Sequence, residues 1–134
     1  MKKVMVMVLA LAVTVCGCVT TGNDSNLVQM TVSFSWQGIK AGSTVSPKIK
    51  VSGFPSETKY FLVTLRDLDA PGWNHGGGRV KNDGTGIIPA GALKGGYNGP
   101  NPPGGTHRYQ FTVKAVNAKG AAIGIGRSTK GFSK

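Results

Sequence analysis

Cysteine is nearly absent: the chain has Cys16 and Cys18, and residues 19–134 hold none. That stretch therefore has no internal disulfide, no thiol nucleophile and no thiolate metal site. Histidine is as scarce, with His75 and His107 alone, and no His-x-x-x-His or other close-spaced pair is present to hold zinc or manganese. No Gly-x-Ser-x-Gly segment occurs, which excludes a serine hydrolase of the nucleophile-elbow type. Past the N-terminus no apolar stripe of period 3.6 reaches helical length, and no apolar run reaches the ~20 residues of a membrane-spanning helix. Acidic residues are few, five against sixteen Lys and Arg, for a formal charge of +11. Such a balance favours anionic partners: phospholipid headgroups, lipopolysaccharide, nucleic acid or an acidic protein. Between Lys40 and Lys134, however, no two cations are adjacent, so the charge reads mainly as a solvated surface.

What is present is clearest at the N-terminus. Met1-Lys2-Lys3 is a basic leader, Val4 to Val15 is apolar apart from Thr14, and small residues follow, which is the layout of an export signal. Val15-Cys16-Gly17-Cys18 resembles the lipobox of bacterial lipoproteins. Gly17 supplies the small residue before the cut, which Cys18 has and Cys16 lacks. The resemblance implies that residues 1–17 are removed and that the Cys18 thiol is acylated with palmitate-class chains. Each buried CH₂ of such chains contributes about 0.8 kcal/mol, so two or three chains anchor the protein stably. Val19 rather than Asp after the cysteine points, by the sorting rule of enteric bacteria, to the outer membrane facing the periplasm. Plain secretion, with the two cysteines free or paired, is the alternative. Export removes nucleic acid as a partner. Residues 18–26 then read as a small, polar tether, and residues 27–134 as one domain.

Periodicity of two dominates that domain. Val32, Phe34 and Trp36 alternate with Thr31, Ser33 and Ser35, and Ile49 and Val51 alternate with Lys48 and Lys50. Tyr60 to Leu65 is almost continuously apolar, which predicts a central strand buried on both faces. His107 to Val116 places Tyr109, Phe111, Val113 and Ala115 on one side, and a last strand is expected within Ala121 to Ser128. Gly and Pro sit between these runs, so the fold class is all-β, an antiparallel sandwich or barrel. Two segments read as long irregular loops, Asp67 to Gly86 and Gly95 to Gly105, and each is associated with one histidine.

At these loops the chain resembles the phosphatidylethanolamine-binding protein family, also called Raf kinase inhibitor-like proteins. Ser46-Pro47-Lys48-Ile49 with Gly53-Phe54-Pro55 is similar to the family's Ser-Pro segment and the turn after it. Asp67-Leu68-Asp69-Ala70-Pro71 resembles its Asp-Pro-Asp-Ala-Pro signature, with Leu68 in place of proline. Tyr97 to Pro103 with His107-Arg108-Tyr109 resembles its Gly-x-x-Pro-Pro…His-Arg-Tyr signature, and His75 stands where a loop histidine is expected. The resemblance implies an antiparallel β-sandwich with an anion-binding pocket at one end. It also implies that Asp67, Asp69, His75, Asn101, Pro103, His107 and Tyr109 line that pocket.

The function expected is non-catalytic binding of a small anionic ligand, such as a phospholipid head, a phosphate ester or a carboxylate. No catalytic residue, metal or cofactor is expected. The alternative is an interaction module or inhibitor that uses the Pro-rich loop and Trp73 on a protein partner. His75-Gly76-Gly77-Gly78 also resembles the oxyanion-hole motif of some lipases, but without the serine elbow the glycines read as backbone devices.

Overall fold

The computed structural model describes residues 23–134. The expected export signal, Cys16, and Cys18 with its expected lipid lie outside the described residues. Of the expected tether, Asp24–Asn26 form one 3₁₀ turn, and Arg127 Nη2 donates to Asp24 Oδ2 at 2.6 Å.

Eight strands follow: β1 Val28–Gln29, β2 Thr31–Phe34, β3 Ile49–Ser52, β4 Tyr60–Asp67, β5 Gly77–Lys81, β6 Ile87–Ile88, β7 Thr106–Val116 and β8 Ala122–Ser133. They form a five-stranded sheet in the order β1-β8-β7-β4-β5 and a three-stranded sheet in the order β2-β3-β6. All pairs are antiparallel except β1 with β8, which is parallel. Among the described residues no helix is long and apolar enough to cross a membrane.

The alternation read from sequence sets the core. Tyr109, Phe111, Val113 and Ala115 on β7 are fully buried, and Phe61, Val63 and Leu65 of β4 lie on the same face. Val32, Phe34, Ile49, Val51 and Ile88 face them from the smaller sheet. Phe34 meets Phe111 edge to face with ring centroids 4.8 Å apart. A large side chain withdrawn from water at this depth contributes about 1.5–3 kcal/mol, so the seam between the sheets is the main source of stability. The antiparallel sandwich expected from sequence is therefore the fold.

Two local expectations differ. β4 is an interior strand, between β7 and the edge strand β5, and is buried on one face only: Leu62 is 38 % exposed, because the second sheet covers just the inner side. The stretch from Asp67 to Gly86 is not one irregular loop, since β5 lies within it and pairs with β4. Glycine is what permits that pairing: a Cβ on Gly77 would fall 1.8 Å from the Val63 carbonyl oxygen. A second close approach occurs where the chain leaves β1 for the other sheet. There a Cβ on Gly126 would fall 2.6 Å from the Met30 carbonyl oxygen.

Candidate functional site

The cross-strand register of β4 and β7 pairs Asp67 with Tyr109. His107 lies two residues earlier on β7, so it shares the inner face. Asp67 organises this end of the sandwich. Its Oδ1 accepts the N–H groups of Asp69 and Ala70 at 2.9 and 3.0 Å, which turns the chain sharply after β4. Its Oδ2 accepts from Nδ1 of His107 at 2.7 Å. Burial alone would raise the Asp67 carboxyl. The hydrogen bonds from His107, the Asp69 N–H, Tyr109 and the Ala70 N–H outweigh it and hold the group below its ordinary value. Burial, followed by neighbouring Asp67, pushes the Tyr109 phenol up to about 12, so it stays a neutral donor. The Tyr109 oxygen in turn accepts the Asn101 N–H at 3.3 Å.

His75 is held from the other loop. Its Nδ1 bonds the Asn98 carbonyl oxygen at 2.7 Å, and the Asn98 N–H returns to the His75 carbonyl at 2.9 Å. A carbonyl and an ionised carboxylate only accept, so Nδ1 carries the proton in both histidines. Nε2 is left in each ring as the nitrogen that accepts when neutral and donates when protonated. The two loops are locked together further back by reciprocal bonds between Gly77 and Gly95, 3.1 and 2.8 Å long. Pro100 and Pro102 are buried, which fixes the second loop in place.

Between the loops lies a cavity of about 280 Å³, lined by Asp67, Ala70, Trp73, His75, Asn98, Asn101, Pro103 and Lys134. That is the small end of the range for ligand sites. Of the residues singled out in the sequence, Asp67, His75, Asn101 and Pro103 line it. His107 and Tyr109 stand in support: His107 is bonded to Asp67, and the Tyr109 ring meets His75 edge to face at 5.4 Å. Asp69 turns away. It accepts the backbone N–H of Arg108 at 2.7 Å and its Nη2 at 2.9 Å, and Arg108 holds the Asp69 carboxyl down at about 2. Ala70, Asn98 and Lys134 join the lining without having been singled out. Asn98 offers a signal only as part of the Tyr97–Pro103 loop, and Lys134 arrives because β8 runs on to Ser133. Among the described residues no three His, Cys, Asp or Glu side chains converge as a metal ion requires.

A two-layer sandwich closed at one end by an Asp–His pair and a proline-stiffened loop defines a class, and the comparisons agree with it: the chain belongs to the phosphatidylethanolamine-binding protein family. It is 37 % identical over 109 residues to the UPF0098 protein YbhB of Escherichia coli, covering 65 % of this chain and 69 % of that one. It is 36 % identical over 130 residues to the UPF0098 protein YbcL of the same organism, covering 75 % and 69 %. The crystal structure of YbcL, described as a new member of the mammalian family, superposes with a TM-score of 0.55 at 23 % identity, covering 84 % of this chain and 90 % of that one. A family homologue from Chlamydia trachomatis superposes with a TM-score of 0.57 at 20 % identity, covering 81 % and 99 %. No protein-family model matches the chain.

Proposed function

We propose that the protein is an envelope lipoprotein, anchored through Cys18 in the outer membrane and facing the periplasm, that binds a small anionic group without turning it over. The group is the phosphate of a phospholipid head or of a related phosphate ester. The observation that carries this reading is the pair of histidines fixed through Nδ1, His75 by the Asn98 carbonyl and His107 by Asp67. His75 lines the cavity and keeps Nε2 for an external oxygen, while His107 stands behind Asp67 and orients it. Lys134 adds a cation, and Asp67 suits a ligand that also carries an ammonium group. The lining has no Ser, Thr or Cys nucleophile, and both Asp67 oxygens are already bonded, which supports binding over covalent catalysis.

Native mass spectrometry of the Cys18→Ser protein purified from periplasm, beside its His75→Ala/His107→Ala variant, tests the reading. The parent is expected to carry an adduct with the mass of a phosphate ester, and the variant to lose it. Titration with phosphorylethanolamine is expected to show saturable binding by the parent and at least ten-fold weaker binding by the variant, because the imidazole donors are gone. Equal affinity in the two proteins removes the imidazoles from recognition.

A second reading rests on Trp73, which is 73 % exposed at the cavity rim beside Pro103. A large aromatic in that position suits a protein contact. An empty parent in the mass spectrum, with a protein captured through the Gly99–Gly105 loop, selects this reading.

A further inference from the structure

The outer face of the five-stranded sheet has no layer on it. The inner side chains of β4 and β7 form the core, so their neighbours along each strand stand on the opposite side. The register groups those neighbours. Leu62 pairs with Arg79 on one side and with Lys114 on the other, Tyr60 pairs with Lys81, and Thr112 pairs with Arg127. Arg66 lies on the same face of β4. Five cations from four adjacent strands thus share one surface, and all five are exposed. Carboxylates do not balance them. Asp67 is buried on the inner side, Asp69 is taken by Arg108, Asp83 bonds Thr85, and Glu57 lies in the loop before β4. Asp24 alone reaches the patch, through its ion pair with Arg127.

Two further features narrow the partner. A groove of about 500 Å³ crosses this face, with Arg66, Lys114 and Arg127 in its lining and Trp73 along one side. Trp73 is 73 % exposed, and Leu62 is exposed between two cations. A ring of cations around an exposed indole and an aliphatic side chain is the composition of a lipid–water interface binder. The chain also enters the domain here. Residues 1–22 precede Asn23, and the next residue, Asp24, is bonded to Arg127 on this face.

We propose that this sheet face docks on the surface of an anionic phospholipid membrane, with the cations on headgroup phosphates and Trp73 at the interface. The inference does not depend on what the cavity binds or on the lipid proposed for Cys18, although Trp73 lines both the groove and the cavity. A basic side chain held near an anionic leaflet contributes about a five-fold gain in partition, and salt beyond a few tenths molar screens it.

The test is co-sedimentation of the Cys18→Ser protein with vesicles of phosphatidylglycerol and phosphatidylcholine, and with phosphatidylcholine alone. Binding is expected to the anionic vesicles only, to vanish at about 1 M salt, and to shift the Trp73 emission to the blue. Arg66→Glu/Lys114→Glu is expected to weaken binding at least twenty-fold. Lys48→Glu/Lys50→Glu, an equal charge change beside and on β3 of the other sheet, is expected to leave most of it. Circular dichroism confirms that each variant is folded, and an unfolded reversal is replaced by Arg66→Gln/Lys114→Gln. His75→Ala/His107→Ala binds like the parent, so loss of headgroup recognition in the cavity and loss of docking are read separately. Absence of vesicle binding, equal binding to neutral vesicles, or equal weakening in both charge pairs overturns the proposal. So does binding to a single-stranded oligonucleotide in place of vesicles, which assigns the face to a soluble polyanion.

Discussion

The Tyr97 hydroxyl is buried and, among the described residues, finds no hydrogen-bond partner, and burial pushes its phenol well above the usual range. Its ring stacks on Phe111 at 6.3 Å, so the ring is wanted and the oxygen is not. Tyr97→Phe is expected to raise stability by about 1 kcal/mol, read as a higher urea midpoint; a fall would mean that the hydroxyl is satisfied in solution. Asp69 gives the opposite kind of test. Its carboxyl lies at about 2 in the fold against an ordinary 3.8, so its pairing with Arg108 is fully present above about pH 4. The contribution is lost as pH falls through that window. Arg108→Met should therefore flatten the acid loss of stability between about pH 4 and pH 2, measured by chemical denaturation at each pH. Unchanged slopes would exclude the pair as the source. The two aspartates also mark what sequence can tell at this scale. Both belong to one signature, but the strand register sends Asp67 inward to His107, and the turn after β4 leaves Asp69 outside beside Arg108. Asn98 stayed hidden because its bonds to His75 run through its backbone, which no side-chain motif records.

Strands were legible in proportion to their alternation. β7 could be read from His107 to Val116, all but its first residue, because its side chains alternate as far as Ala115 and those facing inward are mostly large. β5 could not, since Gly77 and Gly78 carry no side chain to alternate. β8 runs to Ser133, five residues beyond the expected end, because its second half is polar or glycine apart from Phe132, whose ring packs on Trp36 and Tyr109, and so offers little alternation to read. Gly77→Ala tests the reading of β5. With no room between the new methyl and Val63, β5 must part from β4, at a cost of about 3 kcal/mol or more. Gly104→Ala, which meets nothing within 4 Å and needs no positive φ, should stay within about 0.5 kcal/mol of the parent. If both variants denature alike, β5 does not pack as closely as described.

At the scale of the molecule, composition and punctuation pointed to an all-β sandwich or barrel and the family resemblance to a sandwich, but local pattern carries neither the strand order nor the parallel β1–β8 pair, because pairing between distant segments leaves no local trace. Side-chain packing across the seam makes the two sheets one unit. Trp36 lies against Phe34 of the smaller sheet at 4.8 Å and against Phe111 and Tyr109 of the larger at 5.8 and 6.1 Å. Neither sheet can open without breaking these contacts, so unfolding should be a single cooperative event. The chain has two tryptophans, and Trp73 is solvent-exposed, so Trp73→Phe leaves Trp36 as a reporter placed at the seam. In that background, Trp36 fluorescence and far-ultraviolet dichroism are expected to follow the same denaturation curve. Phe111→Ala should move both together by about 3–5 kcal/mol, because the cavity it leaves faces both layers. A fluorescence transition that precedes the loss of strand signal would mean that the smaller sheet melts first. The five-stranded sheet, with the Asp67–His107 pair on β4 and β7, would then be the part that stands alone.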